Sequence, residues 1–138
     1  MFKGLCLSAC LVFAAAPAFA AGSSAAYGQG GWFEQFDPIV ARYNQSGEEF
    51  RIQGHCQSAC TLFLGIRNVC VERGASLLFH AGHDRNKNIT AKATGHLLSA
   101  YNDKLRSYLR ANHAMETLEF HTISGGDMIQ KFGYRECR

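Results

Sequence analysis

Gly54-His55-Cys56-Gln57-Ser58-Ala59-Cys60-Thr61-Leu62-Phe63-Leu64-Gly65 and, after a gap, Ser76-Leu77-Leu78-Phe79-His80 are the stretches from which the rest of the chain is read. A strand-like run, Glu49-Phe50-Arg51-Ile52-Gln53, stops at Gly54; the chain turns, and an apolar run of about two helical turns begins at Ser58. Ser58 therefore falls at a helix N-terminus, where unpaired N–H groups and the positive end of the helix dipole stabilise an alkoxide or a developing oxyanion. A second apolar strand ends in His80, the residue type best suited to take a proton from a hydroxyl near neutral pH. The order strand, turn, serine, helix, strand, histidine suits a nucleophile and its base. On spacing alone the plainer reading, Ser58 as a helix cap and His80 as a strand-end residue, is the commoner one.

Gly54-x-x-x-Ser58, the apolar helix after it, and His80 at the end of a Leu-Leu-Phe strand resemble the Clp-type serine proteases of the Clp/crotonase superfamily. That family also carries a Gly-Gly pair between a strand and a helix ahead of the serine. Gly30-Gly31 precede Ser58 in the matching order and lead into an apolar helical stretch. Within that superfamily the chain resembles small secreted bacterial Clp-like proteins whose serine turn reads Cys-x-Ser-Ala-Cys, and the resemblance runs from about Tyr27 to Gly133. It implies an α/β fold: a trimmed Clp/crotonase-like domain with a short, mostly parallel sheet flanked by helices and braced by disulfides.

Met1 to Ala20 reads as a secretory signal peptide: a basic head at Met1-Phe2-Lys3-Gly4, an uncharged apolar stretch from Leu5 to Ala16, and a small-x-small site at Ala18-Phe19-Ala20. Leu7-Ser8-Ala9-Cys10 resembles a lipoprotein box, but too little chain precedes Cys10 for a charged head and an apolar core, so ordinary cleavage ranks above lipidation. No second long apolar run follows, which predicts a periplasmic or secreted chain with no stable membrane anchor. The stretch from Ala21 to Arg138 suits one domain, in a size range where covalent bracing helps.

Four cysteines remain after cleavage: Cys56, Cys60, Cys70 and Cys137. In an exported chain they read as two disulfides with three connectivities, which sequence does not separate. Cys60–Cys70 with Cys56–Cys137 is the favoured pairing here, since it would tie the serine helix to the next strand and tether the C-terminus. A metal site from His55, Cys56, Cys60 and His80 or His83 is the competing reading. It lacks a second matched pair, so no metal and no cofactor is expected. The charge balance, 14 Lys and Arg against 11 Asp and Glu, is scattered and does not point to nucleic acid.

Ala21 to Gly31 is rich in Gly, Ser and Ala and reads as a flexible lead-in ending at the Gly-Gly turn, ahead of a domain over 32–138. Trp32, Phe33, Phe36, Ile39, Val40 and Tyr43 recur at helical spacing and are expected in the core. Asp37-Pro38 suggests that this helix starts at Pro38 and ends near Gly47. Asn68 to Val71 and Ala75 to His80 are predicted strands, joined through Arg73-Gly74. Gly82 to Asn88 is a polar loop beside His80. Thr90 to Asn112 reads as the longest helix, with Leu97, Leu98, Tyr101, Leu105, Tyr108 and Leu109 on its apolar stripe. Ser124-Gly125-Gly126-Asp127 resembles a capping box opening a last helix that Gly133 closes, which makes Asp127 a cap.

The resemblance implies that Ser58 attacks a carbonyl, His80 moves the proton, and the oxyanion sits between the N–H of Ala59 and one from Gly30 or Gly31. The substrate would be a peptide or small acyl compound, handled without an ATPase partner. Two features depart from the family. Counting back from Phe132-Gly133 to the family's aspartate lands on Phe120-His121, leaving Glu116 and Glu119 as the neighbouring carboxylates; losing the orienting carboxylate lowers rate by on the order of 10⁴. Only Ala21 to Gly30 precede Gly31, too short a stretch for the family's leading strands. A sheet edge left open there invites pairing with another chain and leaves a homo-oligomer open. The competing function is a catalytically inactive Clp-like domain that binds a peptide or partner protein in the same cleft.

Overall fold

The computed structural model describes residues 21–138; the signal-peptide reading, with Cys6 and Cys10, lies outside the described residues. The chain is a mixed α/β domain with two three-stranded sheets. Strand β1 (Gly22–Ser23) leads through a 3-10 turn (Ala25–Tyr27) to helix α1 (Phe33–Ser46). Strands β2 (Phe50–Ile52) and β3 (His55–Gln57) follow, then the serine helix, a 3-10 helix over Ser58–Gly65. Strands β4 (Val69–Val71) and β5 (Ser76–Phe79) come next, then helices α2 (Ala91–Ser99) and α3 (Asp103–Ala111). Strand β6 (His121–Ser124) and helix α4 (Gly125–Gln130) complete the order.

The first sheet, β1-β2-β4, is parallel throughout; the second, β3-β5-β6, pairs β3 with β5 in parallel and β5 with β6 antiparallel. Two sheets thus replace the single one expected. The division falls at Gly54, where the backbone takes φ +62° and turns the chain from β2 into β3. Alternation explains β2, whose Phe50 and Ile52 face the core while Arg51 pairs with Glu49 and Glu72. All three residues of β4 are buried, as a parallel strand covered on both faces requires. An aromatic cluster joins the layers: Phe63 of the serine helix meets Phe36 of α1 at 5.3 Å and Phe50 of β2 at 4.4 Å between ring centroids.

Several expectations are corrected. The lead-in is ordered: β1 pairs with β2, buried Ser24 exchanges hydrogen bonds with both backbone groups of Gln53, and Tyr27 packs edge-on against Phe36 and Phe63. Helix α1 starts at Phe33 instead of Pro38, because Gln35 accepts the Trp32 N–H and stabilises the earlier start, so Pro38 lies inside the helix. The helix does end before Gly47. The long helix over 90–112 is two. Asn102 caps α3 by accepting the Leu105 N–H and donates to the Phe132 carbonyl, and these bonds favour a break over a continuous helix. Ser124 caps α4 by accepting the Asp127 N–H, as read from the sequence, and Asp127 itself pairs with Lys131.

The disulfides are Cys56–Cys60 and Cys70–Cys137, not the favoured pairing. The turn from β3 into the serine helix brings the Cα atoms of Cys56 and Cys60 to 5.3 Å, and the C-terminal segment runs beside β4, where Cys137 donates its N–H to the Val71 carbonyl. All four candidate cysteines are thereby consumed in bridges, so the metal reading loses its thiolates.

Candidate active site

Ser58 is the first residue of the serine helix and has φ +55°, a left-handed conformation that a side chain adopts only when its surroundings impose it. Three constraints do so. Parallel pairing of β3 with β5 fixes the approach up to Gln57; the Cys56–Cys60 bridge closes the chain on both sides of the serine; and Thr61 donates its hydroxyl proton to the Ser58 carbonyl at 2.7 Å. This strained turn between strand and helix puts Ser58 on the wall of a cleft and leaves the first helical N–H groups, including that of Ala59, without intrahelical acceptors.

Gly30 packs directly against this turn. A Cβ there would stand 2.8 Å from the Gln57 carbonyl oxygen and 3.0 Å from the Ser58 Cβ, and the residue itself has φ +74°, so only glycine fits. The Gly30 N–H donates to the Tyr27 carbonyl, whereas no backbone acceptor among the described residues takes the N–H of Gly31, which lines the cleft. Of the two glycines, Gly31 is therefore the one whose N–H is not already taken by a backbone acceptor.

His80 follows β5 and is 6% exposed. Its Nδ1 lies 2.6 Å from the Ala81 carbonyl oxygen. A carbonyl only accepts, so Nδ1 carries the proton and Nε2 keeps its lone pair, the tautomer a general base requires. Burial holds the His80 pKa below its ordinary value; the Ala81 hydrogen bond opposes that shift, and the positive charges of His83 and Lys87 add to it. The ring stacks on His83 at 5.9 Å and meets Phe120 edge-on at 5.2 Å. Position 120 thus does stand beside the histidine, but with an aromatic ring in place of a carboxylate. Glu116 is turned to His113, 2.9 Å away, and Glu119 is exposed, so neither orients His80; the Ala81 carbonyl does.

Ser58 and His80 line one cleft of about 530 Å³ with Gly31, and no hydrogen bond joins the two side chains among the described residues. Trp32, Phe33, Ala93 and Leu97 give it an apolar wall. This corrects the aromatic stripe: Phe36 and Tyr43 are core, whereas Trp32, 40% exposed, faces the cleft. The polar loop after His80 spans to α1, with the Arg85 guanidinium 4.5 Å over the Trp32 ring and His83 edge-on to it. Gly82 anchors that loop to α2. Its N–H donates to the Thr94 hydroxyl, and a Cβ would collide with the Ala93 backbone. Sequence reading missed Trp32 and Phe33 as cleft residues, whereas the loop that carries His83 was open to a place at the site because it follows His80 without a break.

His55 lies apart from this site, bonded to Gln57 at 2.8 Å on the outer side of β3. No helix among the described residues is long and apolar enough to cross a membrane. Two disulfides are the pattern of an oxidising compartment. Comparison with known protein families, with curated proteins and with solved structures finds no match to this chain.

Proposed function

We propose that this chain is an exported serine hydrolase of Clp-like type, acting on peptide or small acyl substrates. The observation that carries this reading is the conformation of Ser58. A non-glycine residue is held at φ +55° at a helix start, between two bridged cysteines, on the wall of a cleft shared with a histidine whose Nδ1 is anchored. In this mechanism Ser58 Oγ attacks the substrate carbonyl carbon while its proton passes to His80 Nε2. The oxyanion is received by the N–H groups of Ala59 and Gly31. The bond to the leaving group then breaks as His80 returns the proton to it, and water releases the acyl group by the reverse sequence. The apolar wall of Trp32, Phe33 and Leu97 suits an apolar acyl group or side chain.

One observation favours the second reading, an inactive domain that binds a peptide in the same cleft. No carboxylate orients His80, and no hydrogen bond yet links it to Ser58. The test is labelling of the oxidised protein with a fluorophosphonate probe, read by intact mass. Stoichiometric labelling of wild type that is lost in Ser58→Ala and His80→Ala is the expected result. An unlabelled, folded wild type rejects the hydrolase and favours the binding domain.

A further inference from the structure

One buried side chain touches both arms of the site. Tyr101, 3% exposed, sits at the break between α2 and α3 and points into the core instead of lying on a helix stripe. Its hydroxyl is 2.6 Å from Thr61 Oγ1, and Thr61 is fully buried. Direction follows from chemistry. The Ser58 carbonyl only accepts, so the Thr61 proton goes to it, and the Tyr101 hydroxyl has to donate to Thr61 Oγ1. On its other side the Tyr101 ring meets Phe79 edge-to-face, centroids 5.3 Å apart and planes at 89°. Phe79 is the last residue of β5 and directly precedes His80.

We propose that Tyr101 is a positioning residue for the Ser58–His80 pair: through Thr61 it holds the Ser58 carbonyl, and through Phe79 it holds the end of the strand that carries His80. This inference rests on the reading of Ser58 as a nucleophile and names what sets its distance from the base. Ser58 and His80 lie on different elements and share no hydrogen bond, so their spacing depends on what lies beneath them. Tyr101 contacts the supports of both. Thr61 is one of the three constraints on the left-handed serine, and reacting groups misplaced by about 1 Å lose on the order of 10²-fold in rate.

The test uses the full oxidised chain with Thr61→Val, Thr61→Ser and Tyr101→Phe. Fluorophosphonate labelling rates are measured across pH, well below each melting temperature, together with the ¹³C shift of the Ser58 carbonyl and the side-chain resonances of His80. Thr61→Val keeps the shape but removes the donor to Ser58; labelling is expected to slow by on the order of 10²-fold with an unchanged pH midpoint. Thr61→Ser restores the hydroxyl and is expected to restore the rate. Tyr101→Phe keeps the ring on Phe79 and is expected to slow labelling less than Thr61→Val. Wild-type rates in folded Thr61→Val and Tyr101→Phe overturn the inference. If Thr61→Val does not fold, a wild-type rate in Tyr101→Phe overturns it alone. If wild type itself does not label, the hydrolase reading fails separately, and the resonances decide: movement of both Ser58 and His80 signals in Tyr101→Phe supports positioning, and movement of neither overturns it.

Discussion

Cys70–Cys137 spans a sequence separation of 67 and ties the C-terminal segment to β4, whereas Cys56–Cys60 spans a separation of only 4 and encloses Ser58. Around the long bridge the contacts are those of ordinary scaffold: a parallel bridge from Val71 to Glu136, an Arg73–Glu136 pair at 2.8 Å, and Arg135 reaching Glu49 at 2.9 Å. Around the short bridge the backbone is unusual, with Ser58 and Gly30 both at positive φ and packed against each other. A cross-link limits the unfolded chain in proportion to the logarithm of the loop it closes. The long bridge is worth about 4 kcal/mol on that account and the short one about 2 kcal/mol. The long bridge thus serves stability, and the short one serves conformation.

The sharpest way to break this contrast is to remove each bridge in turn. Cys70→Ala with Cys137→Ala should lower the unfolding free energy by about 4 kcal/mol and leave the labelling rate of the folded fraction unchanged. Cys56→Ala with Cys60→Ala should cost only about 2 kcal/mol yet slow labelling by on the order of 10²-fold. Denaturant melts and labelling kinetics on the same samples decide, and the reverse pattern would end the comparison. Next in size is Gly30→Ala. It meets a left-handed φ and the Gln57 carbonyl, and should destabilise by about 1–2 kcal/mol while reducing labelling more than stability predicts.

A smaller effect separates the site from the scaffold by pH. Burial lowers the His80 pKa below its ordinary 6.5, so the unfolded chain binds the proton more readily than the folded one. The stability contributed by neutral His80 is therefore complete above about pH 6.5 and is lost as pH falls through the lower folded value. Labelling falls in the same direction, because a protonated base accepts nothing. His80→Gln should remove the part of this pH dependence that burial of His80 causes. Smallest of all is Glu136→Ala. Its carboxyl is held below the usual range by the Arg73 hydrogen bond, but both side chains are exposed, so thermal melting should barely move.

The parts of the site legible in the sequence were those fixed by local pattern. A glycine after a short strand, a serine opening an apolar run and a histidine ending another strand each have a local physical cause; the structure puts Gly54 after β2, Ser58 first in the serine helix and His80 one residue past the end of β5. What was not legible depends on distant partners. Cys56 pairs with Cys60 because the left-handed backbone at Ser58 brings their Cα atoms to 5.3 Å, an approach that the reading of a turn did not reveal. Tyr101 fits an amphipathic helix stripe by periodicity, but Asn102 caps a new helix and frees Tyr101 to reach Thr61. The order of residues 21–31 was hidden because glycine and serine read as flexible, while their hydrogen bonds go to β2 and Gln53. Trp32 looked like core because nothing local says that Arg85, far along the chain, folds over its ring.

The separation of the two bridges along the chain also sets a sequence of events. In a chain that crosses a membrane from its N-terminus, Cys56 and Cys60 emerge almost together and are able to oxidise while the rest is still in transit. Cys70 has to wait for Cys137. Its native partner is therefore absent until residue 137 has crossed. In an exported chain the long bridge would close only after the short one, and a Cys70 thiol still without Cys137 would stay open to thiol–disulfide exchange.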